Sequence, residues 1–228
     1  MTLLEAIDIR RSRRKYLDTP IEPEAAEKLR ALAEEYSALA GARIELVFDN
    51  GDAFNGLRKS YGMLSGVRNY AGLIAGNGDD LARERLGYYG ELLMLHAVAM
   101  GLGTCWVGGS FDRNACPFAL EEGEKIICTI TLGYNKEKNS ARESLIYGIT
   151  HRKTKALEQL YRSDVPAPDW FLDGMRAVQK APSAVNRQPV LFTYKDGEVT
   201  AAMVDDGGDL LDLGIAKLHF ELGAGRKI

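Results

Sequence analysis

The sequence predicts an α+β fold, a mainly antiparallel sheet with helices packed on it. Two observations lead there. Helical-period segments and short alternating segments mix along the chain, and turn signals such as Asp196-Gly197 join strand-like runs as hairpins do.

Taken in order, Thr2 to Ile9 reads as a short helix, with Thr2 as N-cap and Glu5 three residues on, the spacing of a capping box. Glu22 to Leu39 is a second helix: Pro23 opens its first turn, and Ala26, Leu29, Leu32, Ala33 and Tyr36 recur on one face. Arg43 to Phe48 alternates as a strand does and is closed by Asp49-Asn50-Gly51. Residues 52–70 predict a helix and a loop, and Tyr70 to Ala75 a strand. Asp80 to Met100 is a long helix that Gly101 stops. Thr104 to Val107 and Ile126 to Leu132 read as strands, 135–150 as a polar connection and Lys155 to Tyr161 as a short helix. Asp169 to Lys180 is a helix, Val190 to Lys195 and Val199 to Val204 are the strands of a hairpin, and Asp209 to Leu222 is the last helix.

Composition narrows the function. With 228 residues, 46% hydrophobic and 27% charged, the chain can bury a real core and is neither disordered nor fibrous. A formal charge of −3 argues against a general nucleic-acid footprint. Cys105, Cys116 and Cys128 contain no C-x-x-C pair and read as reduced thiols of a cytoplasmic protein. Met1 to Arg14 holds no signal-peptide core, because charged residues interrupt it from Glu5 onward. Leu92 to Gly109 lacks Asp, Glu, Lys and Arg, yet Gly101 and Gly103 break it, so a buried helix entering a buried strand fits better than a membrane span. His96, His151 and His219 have no metal-ligand spacing.

The second half repeats the plan of the first. At an offset of 146, residues 29–51 fall on 175–197, matching Arg30 with Arg176, Ser37 with Ser183 and Gly51 with Gly197. At an offset of 127 the long helices match, Gly87 on Gly214 and Leu95 on Leu222. The 19-residue difference (146 − 127) is an extra segment between Gly51 and Gly87.

Four segments carry chemistry. Arg10-Arg11-Ser12-Arg13-Arg14-Lys15-Tyr16 sets five cations and a hydroxyl in seven residues, a phosphate grip or a basic face complementing a helix C-terminus. Ala181 to Pro189 is stiffened by prolines and offers Ser183, Asn186 and Gln188, which suits hydrogen bonding to a flat ligand or a plain turn. Gly101 to Gly109 runs through Trp106 and Val107 to Gly108-Gly109, whose backbone a ligand can approach closely; it lacks the dinucleotide fingerprint. His151-Arg152-Lys153 is a second basic patch.

On Arg10-Arg11-Ser12-Arg13-Arg14, on Pro182-Ser-x-x-Asn-x-Gln-Pro189 and on Gly101-Leu-Gly-Thr-Cys-Trp-Val-Gly-Gly109, the sequence resembles the nitroreductase family of FMN-dependent oxidoreductases. The order of motifs departs from the family's. There the Pro-Ser-x-x-Asn loop follows the arginine motif closely, whereas here that stretch reads Tyr36 to Arg43 and the loop lies in the second half. Family members are homodimers with flavin at the interface, so the resemblance implies a nitroreductase-like fold whose halves, 1–150 and 151–228, form an internal pseudo-dimer with one surviving flavin site. It resembles a subgroup of single-chain nitroreductases with this rearrangement.

Carried over residue by residue, the resemblance implies that Arg10, Arg11 and Ser12 hold the FMN phosphate and ribityl chain, and that Arg14 lies near N1 and O2 of the ring. Pro182, Ser183, Ala184 and Asn186 would line the ring, with Gln188 supporting the loop. Gly108 and Gly109, led in by Trp106 and Val107, would approach N5 and O4, and Arg152 and Lys153 would close on the phosphate. Arg58, Lys59, Tyr61 and Arg68 are further candidates for contact. The implied activity is NAD(P)H-dependent, ping-pong hydride transfer to nitroaromatic, quinone or similar acceptors, with no essential side-chain acid or base. Other flavin chemistry, such as reductive dehalogenation, or a non-catalytic flavin-binding role uses the same residues. The expected partners are a small-molecule acceptor, without nucleic acid or membrane, and the expected state is a monomer, further association being open.

Overall fold

The computed structural model describes residues 1–55, 62–136, 153–204 and 207–228. Helix α1 (Leu3–Ile9) carries the expected capping box: the Glu5 amide donates to Thr2 Oγ1, and the Thr2 amide donates to Glu5 Oε2 at 2.8 Å. Helix α2 (Pro23–Ala40) opens on Pro23 and ends at Gly41, whose left-handed backbone (φ 63°) closes the cap. β1 (Arg43–Val47) and β2 (Asn69–Gly76) follow, then the long α3 (Asp80–Ala99) capped by the Asp79 carboxylate, then β3 (Gly103–Val107) and β4 (Glu124–Gly133). Four strands make an antiparallel sheet in the order β1-β2-β4-β3. Its two faces belong to different cores. One packs on α2 and α3 through Leu29, Tyr36, Leu73 and Leu86; the other is closed by loop residues such as Phe54, Val67 and Phe111 around Tyr70. Burial on both faces is why β2 is almost continuously apolar and does not alternate.

The second part of the chain holds β5 (Tyr161–Ser163), α4 (Asp169–Val178), β6 (Val190–Lys195), β7 (Glu198–Met203) and α5 (Leu210–Ala224). The hairpin turn at Asp196-Gly197 has positive φ at both residues (53° and 86°), the twist that a two-residue connection needs. Phe171, Phe192 and Phe220 form the core between α4, α5 and this smaller sheet.

Two expectations are corrected. Lys155 to Tyr161 is not a helix: one 3-10 turn (Leu157–Gln159) leads into β5, which pairs in parallel with β6, and the Phe192 amide donates to Leu160 O. Strand pairing from a distant segment here overrides local helical preference. The described part of 52–70 carries turns in place of a helix. A Cβ on Gly51 would lie 1.7 Å from Val67 O, so the two ends of this excursion press together backbone to backbone. Residues 56–61 and the 137–152 connection, with Arg58, Lys59, Tyr61, His151 and Arg152, lie outside the described residues.

The two parts meet where α3 crosses α5. A Cβ on Gly87 would come within 2.1 Å of Leu211 O, and one on Gly214 within 1.9 Å of Glu84 O. At the 127-residue offset Gly87 corresponds to Gly214 and Glu84 to Leu211 (84 + 127 = 211), so the contact is reciprocal. Glycine is required at both positions because any side chain would push the helices apart.

Candidate functional site

The basic segment leaves the C-terminus of α1 and runs beside the edge of the first sheet. Ser12 bridges to Thr104 of β3, the Arg13 amide donates to Thr104 O at 2.8 Å, and the Tyr16 and Leu17 amides continue the path to Ser65 and Tyr134. Its cations divide. Arg11 folds back to donate to Asp8 O and Arg10 O, the helix-terminus role weighed above. Arg13 is buried and its guanidinium reaches Lys136 O. Arg14 is half-buried, with its carbonyl taken by the Ser65 amide.

Arg10 is different. Its side chain is only 11% exposed, and Nε and Nη1 are buried without a hydrogen-bond partner among the described residues; the Glu91 carboxylate stands 3.9 Å from Nε. A buried guanidinium N–H without an acceptor is costly, so a strong acceptor such as a phosphate suits this position.

β3 delivers the glycine pair. Val107 is buried in the second core, and the Trp106 indole turns inward to donate to Glu91 Oε2 at 2.7 Å. Gly108 and Gly109 are exposed, have no left-handed φ, and a Cβ on either would meet nothing within 4 Å. Neither packing nor backbone strain demands glycine there, and the exposed backbone of the pair is open to close approach.

The loop 181–189 springs from the end of α4 and is braced from beneath. Gln188 is buried: its Oε1 accepts from the Lys155 amide at 2.8 Å, its carbonyl accepts from Lys155 Nζ at 2.8 Å, and its Nε2 donates to Gln179 O. Ser183 Oγ accepts from the Gln188 amide at 2.9 Å. Val185, Asn186 and Gln188 all have φ near +50°, three left-handed side-chain-bearing residues within four positions. Such backbone strain persists only where surroundings hold it, and it concentrates where ligands are gripped. Ala184 and Val185 are exposed, and Pro182, Ser183 and Asn186 are half-buried. A cavity beneath the loop, about 20 Å³, takes a water-sized group and no ring.

Asp212 of α5 also holds the loop. Its Oδ1 accepts from the Ala184 amide at 3.3 Å, while Oδ2 is buried without a partner. Burial pushes this carboxyl up to about 6, against the lowering effect of the Ala184 and Asp209 backbone groups.

The basic segment and the loop converge. Ala6 and Ile7 of α1 share a core with Ala177 of α4 and Leu218 of α5, and Asp8 pairs with Lys180 at 2.5 Å, directly before the loop. The first and second parts of the chain therefore bring the basic segment to the root of the loop. Lys153 is exposed. Arg68, a candidate from sequence, is engaged elsewhere, by Asp18 and Asp49. Sequence reasoning missed Glu91, Lys155, Gln179, Asp212 and His219 as supports; the one signal was Glu91, the last charge before the uncharged run 92–109. Among the described residues no cluster of His, Cys, Asp and Glu could hold a metal, and no helix is long and apolar enough to cross a membrane.

A family model described as "Putative TM nitroreductase" matches residues 2–224. The chain belongs to this nitroreductase family. Among solved structures it is similar to a "putative nitroreductase" of Thermotoga maritima, at 20% identity and TM-score 0.63, covering 100% of this chain and 87% of that one. It also matches an FMN-dependent nitroreductase of Clostridium difficile, at 21% identity and TM-score 0.47, over 64% of this chain and 96% of the other. No curated protein matches. The fold is thus nitroreductase-like, as expected from the motifs, and the family is one of oxidoreductases.

Proposed function

We propose that the protein is an FMN-dependent oxidoreductase that takes electrons from NAD(P)H and reduces nitroaromatic, quinone or related acceptors. The observation that carries this reading is the convergence of Arg10, with its buried and unsatisfied N–H groups, on the root of the strained loop 181–189. Arg10 and Ser12, with Arg11 and Lys153 at the surface, would hold the phosphate. The Gly108 and Gly109 amides and the loop from Pro182 to Asn186 would hold the ring. Arg14 would face the edge where negative charge develops. Bound FMN supplies reversible hydride transfer; the chain's part is to bind, orient and exclude water, without a side-chain acid or base.

We infer further that the two halves are a fused pseudo-dimer, 1–150 and 151–228, with one flavin per chain. The reciprocal Gly87 and Gly214 contacts support it. So does the fate of the other loop. At the 146-residue offset the end of α4, Val178, corresponds to Leu32 (178 − 146 = 32), yet α2 continues to Ala40. Tyr36 to Ala40, equivalent to 182–186, are helical, and no counterpart of the strained clamp exists there. Three free cysteines, two of them buried, accord with a cytoplasmic setting.

The test is direct. The purified protein should carry flavin absorbance that bleaches anaerobically with NADPH or NADH and returns with a nitroaromatic or quinone. Arg10→Ala and Asn186→Ala should each lower flavin content below half of wild type. A protein that binds no FMN, or two variants with undiminished flavin, overturns the reading; bound flavin that NAD(P)H never reduces overturns the catalytic part.

A further inference from the structure

One buried carboxyl in α3 has contacts in several of the segments that carry the proposed binding residues. Glu91 lies in the middle of α3 and is fully buried. Its Oε2 accepts from Trp106 Nε1 at 2.7 Å, its Oε1 stands 2.9 Å from Nε2 of His219, also fully buried, and Arg10 Nε lies 3.9 Å from the same oxygen. The other ring nitrogen of His219 is 3.1 Å from Ala177 O. Both imidazole nitrogens thus have an oxygen within hydrogen-bond distance, Glu91 on one side and the Ala177 carbonyl on the other.

The residues joined through Glu91 and His219 come from the segments that the flavin reading requires. Arg10 begins the basic segment, Trp106 precedes Gly108-Gly109, Ala177 lies in the last turn of α4 before the loop, and His219 belongs to α5, whose Asp212 holds the loop. A buried polar cluster is a weak source of stability, since apolar side chains of like volume pack as well. Its strength is directional: each hydrogen bond fixes one element at one distance from the others.

We propose that Glu91 is a positioning residue of the flavin site, a buried hub that sets the Arg10 guanidinium, the glycine pair and the loop 181–189 at the mutual spacing one FMN requires. The inference rests on the flavin reading. Without Glu91 the Arg10 side chain loses the polar group that stands 3.9 Å from its Nε and fixes its place, and the phosphate grip suffers first.

The experiment measures FMN and riboflavin dissociation constants by flavin fluorescence for wild type, Glu91→Gln, Glu91→Leu and His219→Leu. Glu91→Gln keeps an oxygen for Trp106 and a polar group for His219 at nearly the same positions, so FMN affinity should stay within about threefold of wild type. Glu91→Leu should weaken FMN at least tenfold and riboflavin much less, so the preference for FMN shrinks; general loosening of the fold would weaken both ligands alike. His219→Leu, which cuts the tie to α4 but leaves the Glu91 side chain beside Arg10, should weaken both ligands together. An FMN-to-riboflavin ratio within twofold of wild type in Glu91→Leu overturns the proposal, as does a Glu91→Gln loss as large as that of Leu. Should Glu91→Leu not fold, His219→Leu decides: unchanged affinity for both ligands overturns it. Wild type binding neither flavin instead overturns the underlying flavin reading, before any variant is measured.

Discussion

At the level of single residues, the site is built from groups that would be poor choices for stability alone. Asp212 is the clearest. Burial holds its carboxyl at about 6, against an ordinary 3.8, so between these values the folded chain binds more protons than the unfolded one. Stability therefore falls as pH rises through that window, and the penalty is complete above about pH 6. Asp212→Asn keeps an acceptor for the Ala184 amide and removes the charge. It should stabilise at pH 7.5, by up to about 3 kcal/mol (about two units at ~1.4 each), and lose that advantage by pH 4. Thermal denaturation at the two pH values checks this; a gain of equal size at both contradicts it. Gly108 makes the complementary case. Gly108→Val meets open space, so stability should change by under about 0.5 kcal/mol while bound flavin falls severalfold, measured by absorbance on the purified variant. Such residues were unevenly legible. Gly108 and Asn186 stood out because their types are chemically suggestive in a short span. Glu91 and His219 did not, because their meaning comes from partners 128 positions apart.

Elements with a local cause were readable from sequence. The Thr2 and Glu5 pair specifies the start of α1 by itself, and Asp196-Gly197 specifies its hairpin by backbone conformation alone. β5 was not readable: three residues with helical neighbours become a strand only because β6 lies alongside. The left-handed run through Val185, Asn186 and Gln188 was equally hidden, since it is imposed by Lys155, Gln179 and Asp212 from three other segments. The crossing of α3 and α5 lies between these cases. The aligned glycines marked it, but only the helix approach explains them. Gly87→Ala and Gly214→Ala should each destabilise by about 3 kcal/mol, because the new methyl meets backbone that cannot swing away. Chemical denaturation measures this, and near-equal losses at the two positions are expected from their reciprocal environment. Substitutions tolerated at one position and ruinous at the other would argue against it.

At the scale of the whole molecule, the proposed reading has the chain concentrate on one composite site what a symmetric pair of subunits would build twice. The basic segment comes from the front, the clamp from the back, and α3 and α5 cross between them. Where the clamp's counterpart would lie, α2 simply continues as helix to Ala40. Asymmetry of this kind makes a numerical prediction about the protein as purified. Reconstituted with excess FMN and freed of unbound ligand, then denatured to release what it holds, the protein should yield one FMN per polypeptide by absorbance; two per polypeptide, or none, would contradict a single flavin held between unlike halves.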